Sequence, residues 1–195
     1  MKINNKGFTL VELIAAFAIL GFVILIVGGF ITTGANTYGA VAADVNLQYE
    51  AQLTMSQIQE YVIDCTGSVW QDGETLYFMK KNTGGTYHAY RLEWDATEKK
   101  IYLGVIDYTP GDMIDAGSFD TARSLMSNYV TDFDVELQLQ EGQTETDPDL
   151  VKTAVFTLEY SVRKETYTGS QTIALRNTVS SAGDFSSFLA SATVP

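Results

Sequence analysis

Cysteine is nearly missing from this chain. Cys65 is the single thiol in 195 residues, so no intramolecular disulfide can form and no redox compartment follows. Proline is almost as scarce. The only prolines are Pro110, Pro148 and Pro195, which leaves everything before Pro110 free of a helix breaker. His88 is the only histidine, and it has no neighbouring ligand motif to suggest a metal. Basic residues are few: 12 Lys and Arg stand against 24 Asp and Glu, a net charge of −12. That balance disfavours a phosphate-binding surface, and with it a nucleic-acid partner. There is no internal repeat, phosphate loop, nucleophile elbow, metal-ligand cluster or paired-carboxylate constellation. The chain therefore offers no catalytic residue, metal site or cofactor motif, and is not read as an enzyme.

What the chain does have is apolar sequence. Hydrophobic residues make up 46% and aromatics 12%, which argues against disorder. From Phe8 to Ile31 the only ionisable side chain is Glu12. A run of about 24 residues is enough to cross the hydrocarbon core of a bilayer as a helix. A helix keeps its backbone hydrogen bonds within the segment, as lipid requires. An acid inside such a segment costs a few kcal/mol and usually marks function. Lys2 and Lys6 precede the run. The positive-inside rule puts them on the cytoplasmic side, and the domain after the helix on the other.

The stretch Lys6-Gly7-Phe8-Thr9-Leu10-Val11-Glu12-Leu13-Ile14 resembles the amino-terminal signature of prepilins. That family comprises the type IV pilins and the pseudopilins of type II secretion and competence systems. The likeness covers Lys6 to about Ile31. It implies that a membrane prepilin peptidase cuts between Gly7 and Phe8 and that the new Phe8 amine is N-methylated. It also implies that Glu12 serves in assembly, meeting the Phe8 ammonium of a neighbouring subunit and setting the register. The cut falls ahead of the apolar run, so the helix stays in the mature protein, unlike a secretory signal. Without Lys2 and Lys6 the net charge is −14, with 24 acids against 10 bases.

The expected organisation is a leader at 1–7, a transmembrane or filament-core helix half at 8–34, an extracytoplasmic pilin-like domain at 35–178 and a tail at 179–195. The fold class is α+β, with one long helix from Phe8 to about Gly67 packed on an antiparallel sheet. Many pilins place a helix-kinking proline where this chain has Gly29. Here Gly28-Gly29 either loosens the helix or lets another helix pack closely. Tyr38, Val41, Ala42, Val45, Tyr49, Leu53, Ile58, Tyr61, Val62 and Cys65 recur at helical spacing, a stripe expected to lie on the sheet. Cys65 reads as a packing residue.

Beyond the helix the period falls to two. Strands are expected at 75–80, 87–94, 100–106, 129–140, 150–163 and 170–175, with a short helix at 120–128 opened by Asp120. His88, Tyr90, Leu92 and Trp94 share a strand face. The loop 107–122 is acidic and oxygen-rich, but its spacing does not fit an EF-hand, and it reads as a solvated loop. Residues 180–195 read as a frayed tail that Phe185, Phe188 and Leu189 are able to dock. The run from Asn128 to Phe133, its return strand and a closing strand ending Ala174-Leu175-Arg176-Asn177 are similar to J- or PilW-like minor pilins, low-abundance subunits near the filament tip.

These features point to a minor pilin or pseudopilin that primes or caps a type II secretion or type IV pilus-like filament. Its implied partners are the prepilin peptidase, other pilin or pseudopilin subunits, the assembly platform protein and, indirectly, the cytoplasmic ATPase motor. The precursor is expected in the cytoplasmic membrane as a single-pass protein, then in a cell-surface or periplasmic filament. A major pilin, a tip adhesin, a DNA-uptake pilin and a membrane-anchored domain that never polymerises are the alternatives. If the peptidase reads Gly7, Gly7→Ala blocks or slows processing in cells carrying an active prepilin peptidase. Wild-type cleavage of that variant, followed by gel shift, would remove the peptidase assignment.

Overall fold

The computed structural model describes residues 9–82, 84–140, 150–162 and 164–193. The chain divides into two units, 1–43 and 44–195. Helix α1 (Leu10–Val62, 53 residues) begins in the first and ends in the second.

In the first unit α1 stands alone. Every described residue as far as Tyr38 is exposed, including Phe17 at 63% and Phe30 at 82%. The helix runs unbroken through Gly28-Gly29, with Thr32 Oγ1 donating to the carbonyls of Gly28 (3.1 Å) and Gly29 (3.0 Å). Among the described residues, nothing beyond the helix's own backbone would lie within 4 Å of a Cβ added at either glycine.

The second unit is built on one eight-stranded sheet. Its strands are β1 (Gly67–Asp72), β2 (Thr75–Lys81), β3 (Tyr87–Asp95), β4 (Lys100–Tyr108), β5 (Arg123–Asn128), β6 (Val130–Leu139), β7 (Leu150–Val162) and β8 (Glu165–Ser181). Their spatial order is β5-β4-β3-β2-β1-β8-β7-β6. All pairings are antiparallel except β1 with β8, which is parallel over Gly67–Val69 and Val179–Ser181. The α+β reading and its largely antiparallel sheet are borne out.

The central strands are buried on both faces. From β2, Leu76 and Phe78 join Tyr90, Leu92, Ile101, Phe133, Phe156 and Leu158 in a core closed by Leu47, Ala51, Met55, Ile58 and Val62 of α1. Tyr77 and Met79, their alternates, face the opposite way. They pack with Tyr87, Ala89, Tyr108, Phe119, Phe188 and Ala192. The run Leu76-Tyr77-Phe78-Met79 lacks polar alternation because no face of that strand meets water.

The structure corrects several expectations. The helix stops at Val62, and Gly67 opens β1, a strand not expected from the sequence. Gly67 sits at φ +82, and a Cβ there would lie 3.0 Å from Ser191 Oγ, so glycine serves conformation and close approach together. Of the expected stripe, Ile58, Val62 and Cys65 are buried, but Tyr38, Val41, Val45, Tyr49 and Leu53 are exposed. The face on the sheet is instead Leu47, Ala51, Thr54, Met55, Ile58 and Val62.

The short helix expected at 120–128 is absent. Asp115 caps a 3-10 turn at Ala116–Thr121, accepting from Ser118 N, and residues 123–128 pair with β4 as β5. Cross-strand pairing here outweighs local helix propensity. Tyr129, at φ 64, is the one residue between β5 and β6, so a single residue joins the two ends of the strand order. Val130 N donates to Lys99 O and Trp94 Nε1 to Val130 O, so the sheet curls until its ends meet. The closing strand is also longer than expected, running from Glu165 to Ser181.

Nor is the carboxy-terminal segment frayed as far as Ala192. Asp184 accepts from Ser187 N at 2.7 Å and caps α2 (Phe185–Ala190). Phe188 is fully buried, and Phe185 packs on Trp70 and Tyr77. Ser68 Oγ donates to Ser191 Oγ at 2.7 Å beneath it. Cys65 is buried as expected, and desolvation pushes its thiol up to about 12, which makes it unreactive. Truncating a buried phenylalanine costs about 3–5 kcal/mol. Phe188→Ala should therefore lower the thermal midpoint of the detergent-solubilised chain clearly, while the exposed Ser186→Ala should not. Equal midpoints for the two variants would mean that α2 contributes nothing to the core.

Candidate functional site: the amino-terminal helix

Gly7 and Phe8 lie outside the described residues. The site begins at Thr9, the residue before α1. Thr9 N donates to Glu12 Oε2 at 2.8 Å, and Thr9 Oγ1 donates to the same oxygen at 2.9 Å. In return Glu12 N donates to Thr9 Oγ1 at 3.3 Å. This is a capping box, in which a threonine and a glutamate three residues on satisfy backbone groups that a helix end leaves unpaired. The signal is present in the sequence as Thr9-Leu10-Val11-Glu12, a threonine followed three residues later by a glutamate at a helix start.

The box places the carboxylate at the helix amino terminus, where the helix dipole favours negative charge. Both Thr9 bonds fall on Oε2, so among the described residues Oε1 is left for an outside donor. From Thr9 to Thr37 Glu12 remains the only ionisable side chain. The segment is long and apolar enough to cross a membrane, and none of the described residues covers it. Further along the same unit, Gly29 and Gly34 leave a shallow depression bordered by Ile26, Phe30, Tyr38 and Val41. Small residues that let another helix approach are the usual means of helix association in lipid.

In the second unit α1 is apolar on two sides. Leu47, Ala51, Met55, Ile58 and Val62 face the sheet. Val45, Tyr49 and Leu53, spaced by four residues, lie roughly opposite and are exposed at 56%, 67% and 43%. The sequence pattern merged these two faces into one stripe.

The remaining candidates are structural. His88 Nδ1 lies 2.6 Å from Asp107 Oδ1, and its Nε2 is 3.2 Å from Asn82 Nδ2. Among the described residues no three or more His, Cys, Asp or Glu side chains converge as metal ligands would. The acids of the loop are engaged locally. Asp112 accepts from Thr109 N, Asp115 caps the 3-10 turn, and Asp120 accepts from Arg91 Nη2 at 2.6 Å. Arg91, only 6% exposed, also donates to Ala116 O and meets Glu93, pinning that loop to β3.

Residues 2–28 match the family model of the prokaryotic N-terminal methylation motif. The chain carries a prepilin amino terminus. The motif implies processing by a prepilin peptidase and assembly with other pilin subunits, and it supports the resemblance of this segment to type IV pilins and pseudopilins. Comparison with curated proteins finds no match, and comparison with solved structures finds none.

Proposed function

We propose that this protein is a structural, non-enzymatic minor pilin or pseudopilin that primes or caps a type II secretion or type IV pilus-like filament. The observation that carries the reading is one carboxylate, capped by Thr9, at the start of an otherwise uncovered apolar helix inside a prepilin motif. The precursor sits in the cytoplasmic membrane with Lys2 and Lys6 inside and residues 35–178 outside. The peptidase removes residues 1–7 and methylates the Phe8 amine. The assembly platform and its ATPase motor then draw the helix out of lipid.

Three features of the chain support that sequence. The capping box fixes where the acid sits, one turn from the new amino terminus. Oε1 remains for the Phe8 ammonium of an adjacent subunit, while Oε2 stays with Thr9. An opposite charge at about 4 Å contributes roughly 4 kcal/mol at an effective dielectric near 20. A subunit displaced along the axis would leave the acid unpaired, so the pair selects one register. The exposed apolar residues Val45, Tyr49 and Leu53 give neighbouring subunits a further packing surface. The tip position rests on the likeness of Asn128–Phe133 and Ala174–Asn177 to J- and PilW-like minor pilins.

Loss of the pair should appear in assembly, not in processing. Glu12→Ala should be cleaved normally yet fall at least tenfold in sheared filaments, since each 1.4 kcal/mol is a factor of ten. Recovery of that variant in filaments at the wild-type level would overturn the register role.

A further inference from the structure

Strand β8 is paired unevenly. From Glu165 to Ala174 it is bonded to β7, and only Val179–Ser181 is bonded to β1. Between Val151 and Thr153 the β7 register jumps from Val179 to Ala174, and the intervening residues leave the ladder. Among the described residues, no strand therefore lies against 165–174 on the side away from β7. What flanks that edge is α1. Arg176 N donates to Ile63 O at 3.0 Å, and Gln171 Nε2 donates to Gln59 Oε1 at 2.5 Å. Past this latch the helix and strand separate, leaving a cleft of about 450 Å³. Gln52 and Ser56 form one wall, Tyr167, Gly169 and Gln171 form the other, and Ala51 and Met55 lie between them.

We propose that this cleft is a β-augmentation site, in which an extended, uncharged segment of another polypeptide adds as a strand to the free edge of β8 beneath α1. A strand edge beside a helix is a recurrent arrangement for peptide capture. Backbone hydrogen bonds give affinity there, and alternate side chains give specificity. Where α1 stands off from it, the edge carries no guarding side chain. Folded proteins usually protect open strands with charge or proline. The end strand β6 follows that rule, with exposed Asp132, Asp134 and Glu136 on one side chain in two. Thr166–Ile173 carries no charge and no proline, in a chain with 36 charged residues (12 basic and 24 acidic).

The chemistry of the cleft defines its occupant. The floor is apolar, with Ala51 and Met55 almost fully buried, and the walls are amides and hydroxyls. A charged side chain entering there would lose water without gaining a counter-ion. Gly169 keeps the space open: a Cβ at that position would meet only the Tyr167 side chain, at 3.4 Å or more. Five strand residues, Tyr167 to Gln171, span about 16 Å, so the cleft holds about five residues of guest strand. Their inward positions take small side chains such as alanine, serine or valine. The proposal does not depend on membership of a filament.

The test uses the full chain in detergent micelles and the blocked peptide Ser-Val-Thr-Ala-Thr-Val-Ser as probe. Amide hydrogen exchange at Thr166–Thr172 should slow at least tenfold on saturation. Binding of the fluorescent peptide should weaken at least tenfold in Ser56→Arg and in Gln52→Arg. Both positions are exposed, so both variants should keep the wild-type thermal midpoint. A peptide with proline at its centre should not bind. Unchanged exchange at Thr166–Thr172, or equal binding by the arginine variants or the proline peptide, would overturn the proposal.

Discussion

An ionised carboxylate within an apolar helix must either find a donor or lose its charge, and Glu12 has been given half of what it needs. Thr9 supplies two hydrogen bonds from the same chain, both to one oxygen. That arrangement lowers the cost of carrying the acid in lipid and holds it at a defined height. It does not neutralise the charge. In the proposed filament the remaining demand is what would couple one subunit to the next, because hydrocarbon is as good a solvent for the other side chains of the segment as a neighbouring helix is. On the proposed function the capping role and the assembly role are one arrangement: the box orients the carboxylate that a partner's amine would meet.

The second unit solves a different problem. A single sheet must bury two apolar faces, and it does so with two unequal covers. The end of α1 closes one face, and the short α2 with the 3-10 turn at Ala116–Thr121 closes the other. Polar groups tie these covers down. Ser127 lies 3.0 Å from the Tyr160 hydroxyl and donates to Glu50 on α1. Asp64, just past the helix, meets both Arg176 and Lys80. Burial pushes the Tyr160 phenol above its ordinary range, so it stays neutral inside the core.

Much of the fold was legible because it rests on periodicity. The alternation of Phe133, Val135, Leu137 and Leu139 placed β6, and that of Tyr90, Leu92 and Trp94 placed a face of β3. Legibility failed where tertiary context decides. Residues 67–72 have no clean alternation, because Val69 and Trp70 belong to cores on opposite sides of the sheet. Val45, Tyr49 and Leu53 cannot be told from the buried face by spacing, because a helix apolar on two sides has no polar stripe to mark its orientation. The tail looked mobile by composition, yet Phe188 has a pocket that only the assembled sheet creates. At the amino terminus the motif is readable in full, while the capping box within it overlaps the same residues, so its spacing carries no separate signal.

The central claim is a charge pair between subunits, so its most direct test is a distance between them. Filaments assembled from a mixture of subunits, some with ¹⁵N-phenylalanine and others with ¹³C-glutamate, would report it by solid-state dipolar recoupling. The account predicts contact between the Phe8 amine nitrogen of one subunit and the Glu12 carboxyl carbon of another at about 4 Å, within the reach of an ion pair. No transfer between differently labelled subunits, with Glu12 remaining bonded to its own Thr9 alone, would contradict it.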